Sequence, residues 1–377
     1  MKVLVVSGIW PPDVGGPASH APDVADYLLE HGHDVEVVTT ASEPPAPRPY
    51  PLRYVPRSLP PGIRHLRGAA LVCARAREAD VVYTTGMFGR SFAGSSAARR
   101  PYVVKLTADP AFERARRRGV VGGDVDAFQR AGAGPVVSLL RLLRDLELRQ
   151  AAHVFCPSSY LRELAISWGV SGDRISVLPN PYPPLPELAP RDELKRRFEM
   201  NGRTLAFAGR LTAQKSLGIA LEAVAAVEGV TLLIAGDGDE REPLERLAGE
   251  LGLGARVRFL GPQSRERVIE LFRAADATIL SSSWENFPHT VVEALSAGTP
   301  VLATSVGGVA EVVQNEVNGL LVPPGDSAAL AAIVRRYFED DALRERLRAA
   351  AAGSVRAYDR ETIFGRLEQA LSAAARA

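Results

Sequence analysis

The stretch SSSWENFPHTVVEALSAGTPVLATSVGGVAE, residues 281–311, decides the fold. It begins at the end of the short apolar run ATILSS (277–282) and includes a second one, VLATS (301–305). Between them, Pro288 suits the first turn of a helix and Gly298 suits its end, because proline fixes a helical φ and glycine tolerates the left-handed cap. The stretch therefore predicts a strand, a loop, a helix and a second strand, which is the repeating unit of a parallel sheet.

The same alternation continues on the N-terminal side of this stretch. Apolar runs predict three more strands, TLAFAG (204–209), TLLIAG (231–236) and RVRFLG (256–261). Apolar residues at helical spacing separate these runs. A helical tail is predicted from Ser327 onward, with Asp326 or Ser327 as its N-cap.

The first half of the chain shows a second series of strands and helices. The strands are predicted at KVLVVS (2–7), DVEVVTT (34–40), VVYTT (81–85), YVVKL (102–106), HVFCP (153–157) and ISVLP (175–179). A helix is predicted over 18–31, closed by Gly32. Two further stretches, 44–61 and 107–134, are predicted to be loops, the first because it is rich in proline.

The two halves are separated by NPYPPLPELAP (180–190), whose five prolines predict a stiff linker. Because single cores stop growing at about 250–300 residues, a chain of 377 residues is expected to hold two domains. The fold class is predicted as α/β, with two doubly wound Rossmann-like domains that face each other across a cleft. The predicted parts are an N-terminal domain over 1–180, the linker over 181–190, a C-terminal domain over 191–355 and a C-terminal helix over 356–377 that packs back on the N-terminal domain.

Composition and charge exclude several classes of protein. A formal net charge of +1 lacks the basic excess of a nucleic-acid-binding domain, so no nucleic-acid partner is expected. No run of about 18 apolar residues could span a membrane, and the short apolar start predicts a first strand rather than a signal peptide. Cys73 and Cys156 are isolated and are expected to be reduced thiols. A cytoplasmic protein is therefore expected.

Two glutamates of the stretch 281–311 lie in its predicted loop and its predicted helix, one in each. Glu285 lies in the loop after the first strand, and Glu293 lies inside the helix that follows. That loop is at the carboxyl edge of the sheet, where open α/β sheets bind ligands. Carboxylates can accept hydrogen bonds from pairs of sugar or ribose hydroxyls. Glu285 and Glu293 are therefore predicted to point at one such ligand.

A pair of cations follows the first strand of the C-terminal half. Gly209 ends the run TLAFAG, and Arg210 and Lys215 precede a helix that is predicted to begin near Ser216. Cations beside a helix N-terminus favour a diphosphate, because the helix dipole and its free N–H groups also attract anions. These residues therefore predict a diphosphate site.

Glycine-rich loops follow two other predicted strands. Gly236 and Gly238 allow the backbone to approach a nucleotide, although the loop lacks the third glycine of a dinucleotide fingerprint. Gly15 and Gly16, between the first strand and the first helix, either present backbone N–H groups to an anion or serve the turn alone. His20 follows on the first helix and is either structural or on the acceptor side.

Taken together, these motifs resemble the family-4 retaining glycosyltransferases of the two-domain GT-B fold, the bacterial glycosyl transferases group 1, over nearly the whole chain. The most specific part is the E-x7-E pattern of Glu285 and Glu293, followed by GTPV (298–301) and GG (307–308). GGPASH, GRLTAQK, AGDGDE and VLPNPY are supporting matches. The resemblance implies transfer of a sugar, with retention, from a nucleotide-diphosphate sugar of UDP or GDP type to a hydroxyl of a glycan, a lipid-linked molecule or a small molecule.

The resemblance also implies roles for single residues. Glu285 would hold donor-sugar hydroxyls and Glu293 would bind the nucleotide ribose. Arg210 and Lys215 would neutralise the diphosphate and, with Glu285, are predicted to be catalytic. The other donor-binding positions implied are Gly15, Gly16, Gly209, Gly236, Gly238, Asn286, Phe287, Pro288, His289 and Thr290. The nucleotide-sugar is a substrate in such enzymes, so no cofactor is expected.

One position departs from the family pattern. Many members carry a histidine in the loop after the strand equivalent to YVVKL, where it touches the donor sugar. Here the loop reads KLTADPAFER and contains no histidine. Asp109 is the polar residue that this loop offers, and it completes the predicted catalytic residues.

The basic run ERARRR (113–118) lies in the second predicted loop of the first half. It is interpreted either as a solvated loop or as a contact to an anionic lipid or a phosphorylated acceptor. Arg116 and Arg117, together with His20, are the predicted acceptor-side residues. The lipid alternative would place the protein peripherally on the inner face of the cell membrane.

The sequence also contains features that could suggest metal binding or a different activity. Two D-x-D strings, Asp124/Asp126 and Asp237/Asp239, are interpreted as loop residues, so transfer without a metal is expected. A nucleotide-sugar epimerase of the same architecture would convert donor without an acceptor. A non-catalytic nucleotide-sugar-binding subunit would bind donor without turnover. A glycosidase also uses two carboxylates, but it would not need cations beside a helix start.

Overall fold

The computed structural model describes residues 1–13, 16–121, 125–130, 134–182 and 185–377, with only the backbone of 16–19, 126 and 127. It divides into two compact units. Unit 1 comprises Met1–Asn180 together with Ile363–Ala377, and unit 2 comprises Pro181–Thr362.

The described part of unit 1 contains one parallel sheet of seven strands. The strands are β1 (Lys2–Ser7), β2 (Asp34–Ala41), β3 (Leu52–Pro56), β4 (Val81–Thr85), β5 (Tyr102–Lys105), β6 (His153–Cys156) and β7 (Ile175–Val177). Their order is β3-β2-β1-β4-β5-β6-β7. The chain therefore winds outward from β1 in both directions, which is the doubly wound arrangement.

The described part of unit 2 repeats this design with six parallel strands. They are β8 (Arg203–Ala208), β9 (Val230–Ala235), β10 (Val257–Gly261), β11 (Ala277–Leu280), β12 (Val301–Thr304) and β13 (Gly319–Val322). Their order is β10-β9-β8-β11-β12-β13. The loops after β8, β9, β11 and β12 therefore leave the same carboxyl edge of neighbouring strands.

Helices cover the faces of both sheets. In unit 1 they are α1 (Gly16–Glu30), α2 (Pro61–Ala76), α3 (Phe88–Ala98), α4 (Pro110–Arg117), α5 (Val125–Arg130), α6 (Pro135–Arg149) and α7 (Ser159–Ser167). In unit 2 they are α8 (Arg191–Arg197), α9 (Leu217–Ala225), α10 (Arg241–Glu250), α11 (Arg265–Ala274), α12 (His289–Ser296), α13 (Val309–Val312), α14 (Ser327–Glu339) and α15 (Asp341–Ser354). The last helix is α16 (Arg360–Arg376).

The cores explain why the strands read as continuous apolar runs. On one face of the unit 1 sheet, Val3 and Val5 pack with Tyr27 of α1 and with Phe364 and Leu367 of α16. The opposite face packs Leu4 and its neighbours against a separate apolar cluster. Because both faces are buried, successive residues of one strand must all be apolar. The apolar face of α16 thus belongs to the core of unit 1.

The predicted α/β class with two doubly wound domains is confirmed. Two details were wrong. The segment 44–61, predicted as a loop, contains β3, which tolerates its closing Pro56 because β3 is the edge strand of the sheet. The segment 107–134 also was predicted as a loop, yet Asp109 caps α4, whose arginines form an exposed helical face, and α5 follows. No helix in the described parts of the chain is long and apolar enough to span a membrane.

Candidate functional site

Glu285 lies at the carboxyl edge of the unit 2 sheet, in the loop between β11 and α12. The residue is 5% exposed. The hydroxyl of Ser282 donates to Glu285 Oε1 over 2.7 Å, and the amide of Gly308 donates to the Glu285 carbonyl over 3.2 Å. The carboxylate is therefore held by a residue of its own loop, and the backbone of Glu285 is held by the loop after β12.

Lys215 meets this carboxylate from the loop after β8. Its Nζ donates to Glu285 Oε1 over 2.5 Å. The two loops are also joined by the Gln214 side chain, which donates to the Trp284 carbonyl over 2.8 Å, and by Ser281, whose hydroxyl donates to the Lys215 carbonyl over 3.0 Å. The structure thus brings together two of the predicted catalytic residues, which are 70 positions apart in the chain.

Arg210 provides positive charge that Glu285 does not neutralise. Its side chain is exposed, and within the described ranges it has no ion pair with a carboxylate. α9 begins at Leu217, at the end of the same loop, and its N-cap Ser216 makes no side-chain hydrogen bond to the N-terminal N–H groups. An exposed arginine in the loop that leads into an uncapped helix start favours an anionic ligand.

Glycines allow these loops to approach one another closely. Gly236 has φ +137°, and a Cβ there would lie 1.9 Å from the Gly209 carbonyl oxygen. Gly307 has φ +46°, and a Cβ there would lie 1.8 Å from the Glu285 carbonyl oxygen. No side chain fits at either position. Gly209 and Gly238 also have positive φ in these loops.

Glu293 lies inside α12 and is 9% exposed. It pairs with Arg265, whose Nη2 donates to Glu293 Oε1 over 3.1 Å. Burial raises the pKa of the Glu293 carboxyl, and the positive charge of Arg265 acts against that rise. Arg265 begins α11 after β10, and sequence reasoning missed it because its partner lies 28 residues away.

The loop between Glu285 and α12 contains the other predicted donor-binding residues. Phe287 is buried and packs against His289, with ring centroids 5.3 Å apart. Pro288 is the N-cap of α12, and Asn286 and Thr290 are half-buried. Sequence reasoning passed over Trp284, whose indole Nε1 is buried and has no hydrogen-bond partner among the described residues. This N–H is an available donor for a bound ligand.

In unit 1, His20 is buried on α1, and its Nε2 lies 2.8 Å from the Tyr83 hydroxyl. Burial raises the pKa of Tyr83, so this phenol stays neutral. The His20 ring also packs edge-on against Phe364 of α16. Gly16 begins α1, whereas Gly15 lies outside the described residues.

Both carboxylate oxygens of Asp109 in unit 1 accept hydrogen bonds. Its Oδ1 accepts from the amide of Ala111 over 2.8 Å and caps α4. Its Oδ2 accepts from Arg144 over 2.9 Å and from Gln129 over 2.8 Å. The side chain is 0% exposed. These contacts give Asp109 a structural role, and its catalytic role stays a prediction.

The predicted acceptor-side arginines lie on α4. Arg116 and Arg117 are exposed, and Arg117 Nε donates to the carbonyl of Glu113 one turn earlier over 3.2 Å. Arg114 instead faces α6, where its Nη2 pairs with Glu147 over 2.9 Å. The basic run is thus one helical surface rather than a loop.

The structure describes the side chains of one of the two D-x-D strings, Asp237/Asp239, and not those of the other. Asp237 accepts from the amide of Gly238 over 2.9 Å, which is a local loop contact. Asp124 and the side chain of Asp126 lie outside the described residues. Across the described ranges, no group of three or more His, Cys, Asp or Glu side chains could hold a metal ion.

Comparison with known families gives two adjoining matches. The model for "glycosyl transferases group 1" matches residues 190–353, which include the Lys215–Glu285 pair. The model for the "glycosyl transferase 4-like domain" matches residues 15–181.

Relatives and solved structures match along the whole chain. An uncharacterised glycosyltransferase of Methanocaldococcus jannaschii is 28% identical over 92% of this chain and 91% of its own. Glycogen synthase of Mycobacterium tuberculosis is 27% identical over 100% of this chain and 95% of its own. HepE (Alr3699) of Anabaena, solved in complex with UDP, is 24% identical, covers 99% of this chain and 100% of its own, and superimposes with a TM-score of 0.81.

HepE therefore shares the fold of this chain, whose two units each contain one parallel sheet. Together with the two family models, they decide the classification. The chain belongs to the family-4 glycosyltransferases, the glycosyl transferases group 1, and has the GT-B fold.

Proposed function

We infer that this glycosyltransferase takes its sugar from a nucleotide-diphosphate sugar and transfers it to a hydroxyl acceptor with retention of configuration. The observation that carries the proposal is the 2.5 Å pair of Lys215 and Glu285, in which Lys215 comes from the loop after β8 that also contains the exposed Arg210. It places a cation and a hydrogen-bond acceptor for hydroxyls at one sheet edge. A donor that combines a diphosphate with a sugar matches both groups.

The diphosphate would bind between Arg210, Lys215 and the start of α9. Arg210 offers a planar fork and Lys215 a mobile point charge, so the two can contact different phosphate oxygens. When the donor binds, Lys215 would exchange part of its contact with Glu285 for the phosphate. HepE of Anabaena has been solved with UDP and with UDP-glucose, which supports a donor of UDP or GDP type.

The sugar and the ribose would bind to the two carboxylates. Glu285 would accept from sugar hydroxyls, and the Trp284 N–H would donate to a sugar or phosphate oxygen. Both contacts of Arg265 go to Oε1 of Glu293, which leaves Oε2 for a ribose hydroxyl. Asn286, Phe287, Pro288, His289 and Thr290 would line the donor between these carboxylates.

The chemistry requires stabilisation of the leaving group. As the bond between the sugar C1 and the diphosphate oxygen breaks, charge builds on the diphosphate and an oxocarbenium-like sugar forms. Arg210, Lys215 and the N–H groups of α9 would stabilise that charge where it develops. A leaving phosphate oxygen would then take the acceptor's proton while the acceptor oxygen bonds to C1 on the same face. These groups supply the stabilising charge, so we propose transfer without a metal or cofactor.

We further propose a cytoplasmic protein with peripheral contact to the inner face of the membrane. α6 exposes five large apolar side chains, Val136, Leu139, Leu142, Leu143 and Leu146. α4 packs beside it with exposed arginines at 116, 117 and 118. Apolar and basic groups side by side suit an anionic lipid surface. Co-sedimentation with anionic vesicles that persists unchanged when these arginines become Ser would remove this contact.

The experiment for the transfer reaction follows UDP-glucose and GDP-mannose by NMR in the presence of the enzyme. Slow hydrolysis to nucleoside diphosphate and a sugar that first appears with the donor's anomeric configuration is expected. A chelator should leave the rate unchanged. A new nucleotide-sugar in the spectrum would instead indicate an epimerase, and donor binding without any turnover, with or without acceptors, would indicate a binding subunit.

A further inference from the structure

A group of six basic residues in unit 1, here called the arginine basin, is not explained by the donor site. It comprises Arg57, Arg64, His65, Arg90, Arg114 and Arg118. Three helices and one turn contribute to it: the turn after β3, helix α2, the first turn of α3, and the C-terminal half of α4 with its C-cap residue Arg118. The fold brings the charges of these residues near one another, and Arg64 contacts Arg57 directly through the Arg57 carbonyl.

The basin lies at the carboxyl edge of the unit 1 sheet. The strands β3, β4 and β5 lead directly into the elements that contribute its residues. Arg57 Nη2 also donates to the carbonyl of Gly8 over 2.7 Å, and Gly8 is the first residue after β1. This edge is where open α/β sheets bind their ligands. The position therefore favours a ligand site over a solvated surface.

Arg90 is the most constrained residue of the basin. Its Nη1 is buried and has no hydrogen-bond partner among the described residues. The side chain lies against Gly68 of α2, where a Cβ would be 2.7 Å from Arg90 Cδ. A glycine at this position makes room for the arginine. A buried donor without a partner is costly unless a ligand satisfies it.

The charges around Arg90 are of the same sign. Burial, and then the positive charges of Arg64, Arg57 and Arg114, lower the pKa of Arg90 to about 10. The pKa of His65 is lowered by burial and then by its arginine neighbours. Such a cluster raises the free energy of the folded state and is relieved by an anion.

Carboxylates compensate only part of this charge. Asp13 pairs with Arg57 and Glu147 pairs with Arg114, each over 2.9 Å. In the part of the chain that the structure describes, Arg64, Arg90 and Arg118 have no ion pair with a carboxylate. The guanidinium of Arg64 donates to the carbonyl of Arg57 over 2.8 Å, which fixes its position without neutralising it.

We propose that the arginine basin binds a phosphate group of the acceptor, so that the enzyme glycosylates a phosphorylated molecule. The inference rests on the proposed function, because it names the substrate class of the same reaction. Guanidinium forks match phosphate oxygens in geometry and charge. The phosphate is not transferred; it anchors the acceptor, and a hydroxyl elsewhere on the same molecule receives the sugar. Its source is either a soluble phosphorylated molecule or a lipid headgroup.

The test is a calorimetric titration of inorganic phosphate into the protein saturated with UDP, at constant ionic strength, so that the donor site is already filled. Wild type is compared with Arg64→Gln and Arg90→Gln. Arg64→Gln is the safer variant for folding, because the Arg90 side chain packs tightly against Gly68 of α2 and has a buried Nη1. Arg77→Gln is the matched control, since Arg77 is an exposed arginine at the opposite end of α2.

Each basin variant should weaken phosphate binding about tenfold or more, which is the usual loss when a charge-assisted contact is removed. Arg77→Gln should bind as wild type does. Equal affinity in wild type, Arg64→Gln and Arg90→Gln, or no phosphate binding by wild type, would overturn the inference. UDP binding is measured in the same samples. If wild type fails to bind UDP, the donor proposal fails; if UDP binds normally, a negative phosphate result contradicts the basin alone.

A second arm distinguishes the two sources of phosphate. Vesicles of phosphatidylcholine with phosphatidic acid are compared with phosphatidylcholine alone in co-sedimentation. Binding to the phosphatidic acid vesicles that is lost in Arg64→Gln supports a lipid headgroup. Phosphate binding in the titration with no dependence of vesicle binding on Arg64 supports a soluble phosphorylated acceptor.

Discussion

The carboxyl edges of the two sheets differ in whether their central cations form ion pairs with carboxylates. In unit 2, Lys215 contacts Glu285 at 2.5 Å and Arg265 contacts Glu293 at 3.1 Å. In unit 1, Arg64 and Arg90 lie among other cations, and within the described residues neither pairs with a carboxylate. At the unit 2 edge two cations are therefore paired with carboxylates and the exposed Arg210 is not, whereas in the arginine basin of unit 1 Arg57 and Arg114 are paired and the central Arg64 and Arg90 are not.

This difference indicates two kinds of ligand. A paired site suits a ligand that brings both an anion and hydroxyls, because the cation can turn to the anion while the carboxylate accepts from the hydroxyls. An unpaired basic site suits a ligand that is anionic at that point. A nucleotide-sugar fits the first description, and a phosphorylated acceptor fits the second.

The buried pair of Asp109 and Arg144 tests whether a paired carboxylate in unit 1 is structural. Asp109→Ala leaves the Arg144 charge buried and removes a helix cap, so we expect a loss of about 3–5 kcal/mol in the free energy of unfolding. Asp109→Asn keeps a cap acceptor and should lose less. Urea unfolding measures both values. Native stability together with lost turnover would show a catalytic Asp109 instead.

Lys215→Ala tests whether the pair in unit 2 is catalytic. Removing one group that stabilises developing charge typically costs about 10²–10³ in kcat, and a similar or larger loss is expected here. Stability should also fall, because the Lys215 side chain is 18% exposed and its removal leaves the buried Glu285 carboxylate without its cation, so turnover is compared at a temperature where the variant is folded. Steady-state turnover of UDP-glucose is the measurement, with Lys2→Ala as a control for loss of a surface lysine. Turnover close to wild type would remove Lys215 from the mechanism.

Glu285→Ala separates sugar recognition from nucleotide recognition. The thermal shift produced by UDP should remain, because Lys215 and Arg210 are intact. The additional shift produced by UDP-glucose over UDP should disappear, since Glu285 is proposed to accept from the sugar hydroxyls. Glu245→Ala, an exposed glutamate of α10, serves as the control. An unchanged difference between UDP and UDP-glucose would contradict the assignment of Glu285.

Glu293→Gln is expected to have the smallest effect of these substitutions, and its effect on the free energy of unfolding depends on pH. Burial raises the pKa of the Glu293 carboxyl in the folded protein above its value in the unfolded chain. The neutral carboxyl therefore stabilises the folded state fully at pH values below the unfolded-state pKa, and this stabilisation is lost as the pH rises through the folded-state pKa. Gln stays neutral, so the ligand-free variant should be more stable by about 1 kcal/mol at pH 8. This gain should vanish below about pH 4.3. UDP affinity should fall.

Urea unfolding of wild type and Glu293→Gln at pH 8 and at a pH below about 4.3 checks this prediction. Glu250→Gln, at an exposed position of α10, should change the free energy of unfolding by less than about 0.5 kcal/mol. A Glu293→Gln variant that is less stable at pH 8 would show that the ion pair with Arg265 outweighs the cost of burial.

The sequence correctly predicted the strands and helices that have a clear local signal, such as a continuous apolar run or a capping residue. β1 and β4 have the bounds that their apolar runs predict, and the Asp326 side chain caps α14 as expected. β13 (GLLV) was not predicted, and β3 was hidden among prolines. Local signals therefore decide central strands better than edge strands.

The site was predictable in its parts but not in its contacts. Lys215 and Glu285 were identified by their positions after strands, but the 2.5 Å contact depends on the pairing of β8 with β11. Trp284 was overlooked, because an unsatisfied indole N–H has no signature in sequence. Arg90 could not be linked to Arg57 or Arg114, since no spacing connects residues from three separate loops and helices.

The most direct test is the thermal stability of the wild-type protein with a panel of nucleotides and nucleotide-sugars. A ligand at about 100 times its Kd stabilises by roughly 2.7 kcal/mol, which should raise the Tm by about 5 °C or more. We predict such a rise with UDP or GDP and a further rise with one of its sugars. No rise with any nucleotide at millimolar concentration would contradict the donor site built on Lys215, Glu285 and Arg210.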